Sequence, residues 1–293
     1  MSIHITTEST WVKALLSTGT VSGMAIDATD LVTQAVERHG LKDDKAIQSF
    51  GESALATLLL ASYCKKGDHV NLNIRSSGHV FQSVMDGYPD GSVRGYVVPR
   101  ESSFPYTIGE NAGPWGDGLL SVLRTQDTTH EQPYIGTVPL VTGHLAKDLT
   151  FYWLQSEQVP TAIGIVVQVF QSKVIGASAF MVQALPGASD KDLKWIEDQV
   201  MHITDQLDPK QALAHLFQNA PFSFLETKKL SFKCACSLDR VERALALVGV
   251  DELKSMIEQQ NGAEVKCDFC SEIYKVGRDR LEALVKNSRR HEP

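Results

Sequence analysis

Along the first 185 residues the apolar positions switch between helical and strand spacing. Leu31, Val32, Ala35 and Val36 mark one face of a helix from Thr29 to His39, and Gly40 supplies a stop. Lys45 to Lys65 predicts a second helix. From Ser53 to Cys64 this helix carries no charge and no polar face wider than Ser and Thr. A helix apolar all round is buried on several sides, so layers of structure are expected above and below it. Strands follow. Val70 to Arg75 alternates with period two, Ser76-Ser77-Gly78 makes a turn, and His79–Met85 and Ser92–Val98 are further candidates. Ala162–Phe170 and Val174–Leu185 are two more, joined by Gln171-Ser172-Lys173. Helix and strand mix without a regular βαβ repeat, which favours an α+β core of sheet layers around a buried helix over residues 1–186.

After Pro186-Gly187 the pattern changes to an amphipathic helical linker, residues 187–224. Ser189 with Asp192 three residues on is close to a capping box. Leu193, Ile196, Val200, Ile203 and Leu207 then form a narrow apolar stripe, which on pattern alone reads as a connector packed on a core, with a detachable linker able to expose the stripe as the sharper alternative. Asp208-Pro209 restarts a second helix with Leu213, Leu216 and Phe217 on one side. Residues 225–293 predict a small terminal module. It holds a helix from Leu238 to about Leu247, another from Asp251 to Gln260, a hairpin-type turn at Asn261-Gly262, and strand pieces around Val265 and Tyr274.

Composition narrows the function classes. The 293 residues are 43% apolar and 22% charged, an ordinary globular balance with room for about two domains. The net charge of −7 disfavours a nucleic-acid partner. From Glu226 onward 13 basic residues face 12 acidic ones, so even the tail is nearly neutral. The longest uncharged stretch, Gln158 to Ser172, contains Pro160 and falls short of a membrane span, so no membrane partner is expected. With no basic, apolar leader at the N-terminus, a cytoplasmic location is expected.

Four of the five cysteines lie in two tight pairs, Cys234-Ala-Cys236 and Cys267-Asp-Phe-Cys270, separated by thirty residues. In a reducing compartment that arrangement points to metal ligation. Four thiolates close a tetrahedral Zn²⁺ shell and leave no position for water, so one structural ion per chain is expected, not a hydrolytic centre. A deaminase-type zinc site also lacks its HxE element. A module this small draws only about 3–5 kcal/mol from its own core, whereas a structural zinc contributes roughly 10–16 kcal/mol. Loss of the metal should therefore unfold it. Oxidation would remove the metal, and three disulfide pairings are open. Local bridges constrain the unfolded chain by only about 1.5–2 kcal/mol each and would act as a switch, while bridges across the spacer, near 4 kcal/mol, would act as a staple.

Phe232-Lys-Cys-Ala-Cys-Ser237, Gly249-Val-Asp-Glu-Leu253 and Glu264-Val-Lys-Cys-Asp-Phe-Cys270 together resemble the redox module of the 33 kDa chaperonin family, the redox-regulated heat-shock holdases. Arg94-Gly-Tyr-Val97, Ser156-Glu-Gln-Val-Pro-Thr-Ala162 and Leu185-Pro-Gly-Ala188 are similar to motifs of that family's core, so the resemblance spans nearly the whole chain. It implies a reduced, inactive form in which Cys234, Cys236, Cys267 and Cys270 hold zinc. It further implies disulfides Cys234–Cys236 and Cys267–Cys270 on oxidation, zinc release, an unfolded linker, and ATP-independent binding of unfolding client proteins, often as a homodimer. Two positions depart from the family pattern: the Gln171-Ser172-Lys173 turn lacks a glycine, and Ala177-Ser178 replaces a Gly-Gly-like pair.

Two other classes find less support in the residues. A zinc-module adaptor or nucleic-acid binder would use Lys275, Arg278, Arg280, Lys286, Arg289 and Arg290, which neighbouring acids nearly cancel. An enzyme would need more than Gly51-Glu-Ser-Ala-Leu55, which lacks the last glycine of a nucleophile elbow. Ser62-Tyr-Cys-Lys65 and Gly116-Asp-Gly118 are equally incomplete, and no enzymatic activity is expected. Cys64, in the apolar helix, is expected to be a core residue.

Overall fold

The computed structural model describes residues 8–100, 113–125, 133–200, 208–218 and 220–288, the side chains of 197–200 and 288 excepted. It divides into two compact units, Met1–Lys233 and Cys234–Pro293. In the larger unit the order is β1 (Thr10–Leu16), β2 (Val21–Asp27), α1 (Thr29–His39), α2 (Asp44–Ala61), β3 (His69–Ser76), β4 (Val80–Gly87), β5 (Ser92–Pro99), β6 (Gly118–Thr125) and β7 (Tyr134–Pro139). Then come α3 (Leu145–Tyr152), a π-helical turn (Trp153–Glu157), β8 (Thr161–Phe170), β9 (Lys173–Ala184), α4 (Asp190–Val200), α5 (Pro209–Leu216), β10 (Phe222–Lys229) and β11 (Ser231–Phe232). The smaller unit holds α6 (Leu238–Leu245), α7 (Val250–Gln260), β12 (Gly262–Lys266), β13 (Ile273–Gly277) and α8 (Arg278–Ser288).

The larger unit is α+β. One sheet runs β10-β1-β2-β9-β8 and the other β11-β5-β4-β3-β6-β7. Helix α2 packs against strands of both, which is why its sequence is apolar on every side. Asp43 caps it by accepting the Ala46 N–H at 2.9 Å. Its buried hydroxyls bond inside the helix, Ser53 to the Ser49 carbonyl and Thr57 to the Ser53 carbonyl, so they carry no orphan polar group into the core. Gly51 brings α2 close to β8, because a Cβ there would lie 2.9 Å from a Val167 methyl.

The first sheet is apolar on both faces. Trp11, Met24, Ile26, Ala179 and Met181 point into the core with α1 and α2. Alternate positions Val12, Ala14, Ala25, Phe180 and Val182 form a second apolar layer, covered by α4 and α5 through Ile196, Leu213, Leu216 and Phe217. The fit is tight at Gly23, where a Cβ would meet Phe217 Cζ at 2.7 Å. Trp195 stacks parallel on Phe217 at 6.1 Å. The linker of residues 187–224 is thus a docked layer of the larger unit in its described residues. Residues 225–233, grouped with the terminal module by sequence, lie in that unit instead. The reason is that Phe222–Lys229 forms β10 and pairs antiparallel with β1.

A further difference concerns Asn261-Gly262. Asn261 adopts a left-handed conformation and ends α7, so it is a helix stop and not a hairpin turn. The hairpin turn between β12 and β13 is instead the cysteine-bearing segment 267–272, closed by the Cys267 N–H to the Glu272 carbonyl at 2.9 Å. Among the described residues the smaller unit's apolar cluster has six buried side chains: Val241, Leu245, Leu253, Ile257, Val276 and Leu281.

At the β8–β9 turn, Gln171 (φ 50°) and Ser172 (φ 61°) both take the left-handed conformation that glycine would take most easily. Ser172 is tied down from α2's entry: its hydroxyl donates to the Lys42 carbonyl at 2.5 Å and its N–H to Asp44 at 2.7 Å. Gln171 carries the strain, so Gln171→Gly should raise stability by about 1 kcal/mol, read as a higher thermal midpoint.

Glu52 is the acidic interruption of α2's apolar stretch. It accepts hydrogen bonds from Trp115 Nε1 at 2.7 Å and Gln48 Nε2 at 2.9 Å. Burial nonetheless pushes its carboxyl above the usual carboxylate range. A carboxyl raised on folding supports the fold while protonated and loses that support as pH climbs through its folded pKa. Glu52→Gln should therefore match the parent chain near pH 4, the ordinary carboxylate range, and exceed it increasingly toward neutral pH in urea-unfolding midpoints measured across a pH series.

Candidate metal centre

Each half of the cysteine cluster is built by local structure. Cys234 and Cys236 precede α6, whose N-cap Ser237 accepts the Arg240 N–H at 3.3 Å. Cys267 and Cys270 sit on the tight turn joining β12 to β13. There the Ser271 N–H returns to the Cys267 carbonyl at 2.7 Å, and Ser271 takes a left-handed φ of 59°. Donors point at the sulfurs: the Phe269 N–H toward Cys267, the Glu272 N–H toward Cys270, and the Tyr274 hydroxyl toward Cys236 at 3.0 Å.

The fold brings all four sulfurs within 4.8 Å of one another. Cys236 and Cys270 are 3.4 Å apart, Cys234 and Cys267 3.9 Å. A tetrahedron with metal–sulfur bonds of about 2.3 Å has edges near 3.8 Å, so this donor set fits a soft four-coordinate ion such as zinc. Electrostatics point the same way. Burial raises the Cys267 thiol's pKa, opposed by the Phe269 N–H and reinforced by Cys234 and Cys236. Burial also raises that of Cys270, with the three neighbouring thiols adding to it against the Glu272 N–H. Four thiolates this close repel one another unless a cation sits among them.

The other sequence-marked residues are spread out. Ile196 is buried under α4 and Leu193 partly so, in the layer on the first sheet. The Val200 side chain, and Ile203 and Leu207 entirely, lie outside the described residues. Gly51 to Leu55 lies inside α2, and the Ser62 hydroxyl donates to the Leu59 carbonyl. Cys64 is half-buried against the core, its thiol pushed up mainly by burial, with Arg124 pulling the other way. Three of the tail's cations have acid partners: Lys275 with Glu264 at 3.9 Å, Arg278 with Glu282 at 2.8 Å, and Arg280 with Glu242, while Arg289 and Arg290 lie outside the described residues. Among the described residues no helix is long and apolar enough to cross a membrane. What the sequence reading missed is the second apolar layer. Its trace was the run from Val174 to Leu185, apolar on both alternating faces as in a strand covered on both sides.

An α+β core bearing two helices on a doubly apolar sheet, followed by a small tetra-cysteine unit, defines a recognisable class. A sequence model described as Hsp33 protein matches residues 9–277. The 33 kDa chaperonin of Levilactobacillus brevis is 34% identical over 288 residues, covering 94% of this chain and 96% of that one. That of Synechococcus elongatus is 36% identical over 292 residues, covering 94% and 96%. The crystal structure of the 33 kDa chaperonin (heat shock protein 33 homolog) of Thermotoga maritima is similar with a TM-score of 0.87 at 25% identity, over 97% of this chain and 100% of that one. The chain belongs to the Hsp33 family, and its class is that of a chaperone.

Removing one ligand should cost the smaller unit its fold, because six buried side chains yield only about 3–5 kcal/mol of net stability. Cys267→Ser is expected to bind no metal after reduction and to be cut by protease beyond residue 233, while the parent chain carries one ion and resists.

Proposed function

We propose that this chain is a redox-gated holdase that binds unfolding client proteins without ATP. Cys234, Cys236, Cys267 and Cys270 would hold one Zn²⁺ in the reduced, inactive state. When bound, the ion offsets half the charge of the four thiolates and cross-links the two halves of the small unit. Oxidant then converts the thiols to the disulfides Cys234–Cys236 and Cys267–Cys270. Each bridge forms as two thiolates give up two electrons to one peroxide, which takes two protons from solvent, breaks its O–O bond and leaves as two waters. A disulfide sulfur is not a thiolate ligand, so both bridges together abolish the site.

The pairing rests on the family resemblance, and the loop arithmetic gives it its consequence. Local bridges stabilise the unit by only about 1.5–2 kcal/mol each, too little to replace a structural metal. The small unit unfolds and the linker with it. Undocking α4 and α5 would uncover Phe180, Val182 and their neighbours on the first sheet, together with the stripe of Leu193, Ile196, Val200, Ile203 and Leu207. These surfaces would take up apolar segments of clients, with a homodimer as the active form and the cytoplasm as its place of work. A binding role of this kind needs no catalytic residue. The observation that carries the reading is the convergence of four sulfurs from two distant pairs within 4.8 Å. The alternative, a zinc-module adaptor or nucleic-acid binder, is weakened by the acid partners of Lys275, Arg278 and Arg280.

The test is light scattering of a heat-denatured client with the reduced and the peroxide-treated chain, while a chromogenic chelator follows zinc. Oxidised protein should suppress aggregation and release one zinc per chain, and reduced protein should do neither. Equal suppression by both forms, or zinc-free reduced protein, would overturn the reading. Tight, steeply salt-dependent nucleic-acid binding by the reduced form would favour the alternative.

A further inference from the structure

Tyr274 belongs to the CxxC half of the small unit, on β13 opposite Val265 of β12, yet its hydroxyl reaches Cys236 of the CxC half. The ring is partly buried against the unit's apolar cluster, so the side chain is anchored at its base and polar at its tip. The O–H to sulfur distance of 3.0 Å is short for a bond to sulfur and spans 38 residues of sequence. Cys267 and Cys270, by contrast, receive backbone N–H groups from their own turn.

Four thiolates around a divalent cation keep a net charge of −2, so each sulfur stays electron-rich. A donor to one sulfur drains that density and orients its lone pairs, the usual work of groups just outside a metal's ligands. A less basic sulfur is also a poorer nucleophile toward an electrophile or a peroxide. Charge-assisted hydrogen bonds are roughly twice as strong as neutral ones, so the effect on a thiolate is substantial.

We propose that Tyr274 is a positioning residue of the thiol cluster: its hydroxyl holds Cys236 in the ligating geometry and lowers that sulfur's nucleophilicity, setting how readily the CxC half yields to oxidant. This deepens the zinc-switch reading and rests on it. The side chain acts through Cys236 and takes no part in the redox step. Because the donor is a side chain, one substitution deletes it while leaving the ring in place.

The experiment uses the full reduced, zinc-loaded chain and Tyr274→Phe. Iodoacetamide alkylation, in which each thiolate displaces one iodide, is followed cysteine by cysteine by mass spectrometry. Cys236 should react about 3- to 10-fold faster in the variant, with Cys267 and Cys270 changed by less than twofold. With Co²⁺ in place of zinc, the thiolate-to-metal charge-transfer band should move to lower energy in Tyr274→Phe. It should move to higher energy when 3-fluorotyrosine, a stronger donor of nearly equal size, occupies position 274. That second replacement keeps the test decisive if the phenylalanine variant does not fold. An unmoved band with unchanged Cys236 reactivity, or acceleration of all four cysteines alike, would overturn the role of Tyr274 and leave the switch standing. A reduced parent chain without zinc would overturn both.

Discussion

Four sulfurs drawn within 4.8 Å of one another are mutually repulsive as thiolates and weakly cohesive as thiols. The small C-terminal unit therefore depends on something that reconciles them, and the donor set is suited to a soft divalent cation. Every other feature of the unit is subordinate to that constraint. Its apolar core is six side chains, α7 ends on a left-handed asparagine, and the hairpin turn is given over to the cysteines. A fold assembled this sparingly has little apolar core of its own to draw on.

The larger unit has the opposite character. Its core cluster is extensive and built around α2, an almost wholly buried helix with its hydroxyls satisfied internally. Stability there does not rest on any single contact. The exception is the outer layer, where α4 and α5 cover an apolar sheet face that already has a core on its other side. The first sheet is thereby held from within, so removing its outer cover need not unfold it. The close approach of Phe217 to Gly23 shows how closely the cover fits.

Much of this was legible in the residues. Helices α1 and α2, strands β3, β4, β5, β8 and β9, and the start of α4 at Ser189 all carry strong periodicity or strong stop and start signals. Strands β1, β2, β6, β7 and β10 carry no comparable signal. Val21–Asp27 and Tyr134–Pro139 contain glycine and polar residues at positions where alternation should be clean, and β10 pairs with a strand more than 200 residues away in sequence. No local pattern announces such a partner. For the same reason the edge of the terminal unit moved from residue 225 to 234.

The chemistry was more legible than the architecture. Two tight cysteine pairs mark out the cluster whose four sulfurs the fold brings within 4.8 Å, because residue type and spacing are local properties of the chain. Sequence by itself therefore determined the donor set, the smallness of the unit that carries it, and the buried character of α2. Only the tertiary structure decided which strand faces are apolar twice over, that the linker helices lie on one of them, and that a tyrosine from one half touches a sulfur of the other. Those facts depend on pairings between residues far apart in the chain, whose energies come from burial and contact, and neither exists until the chain has closed on itself.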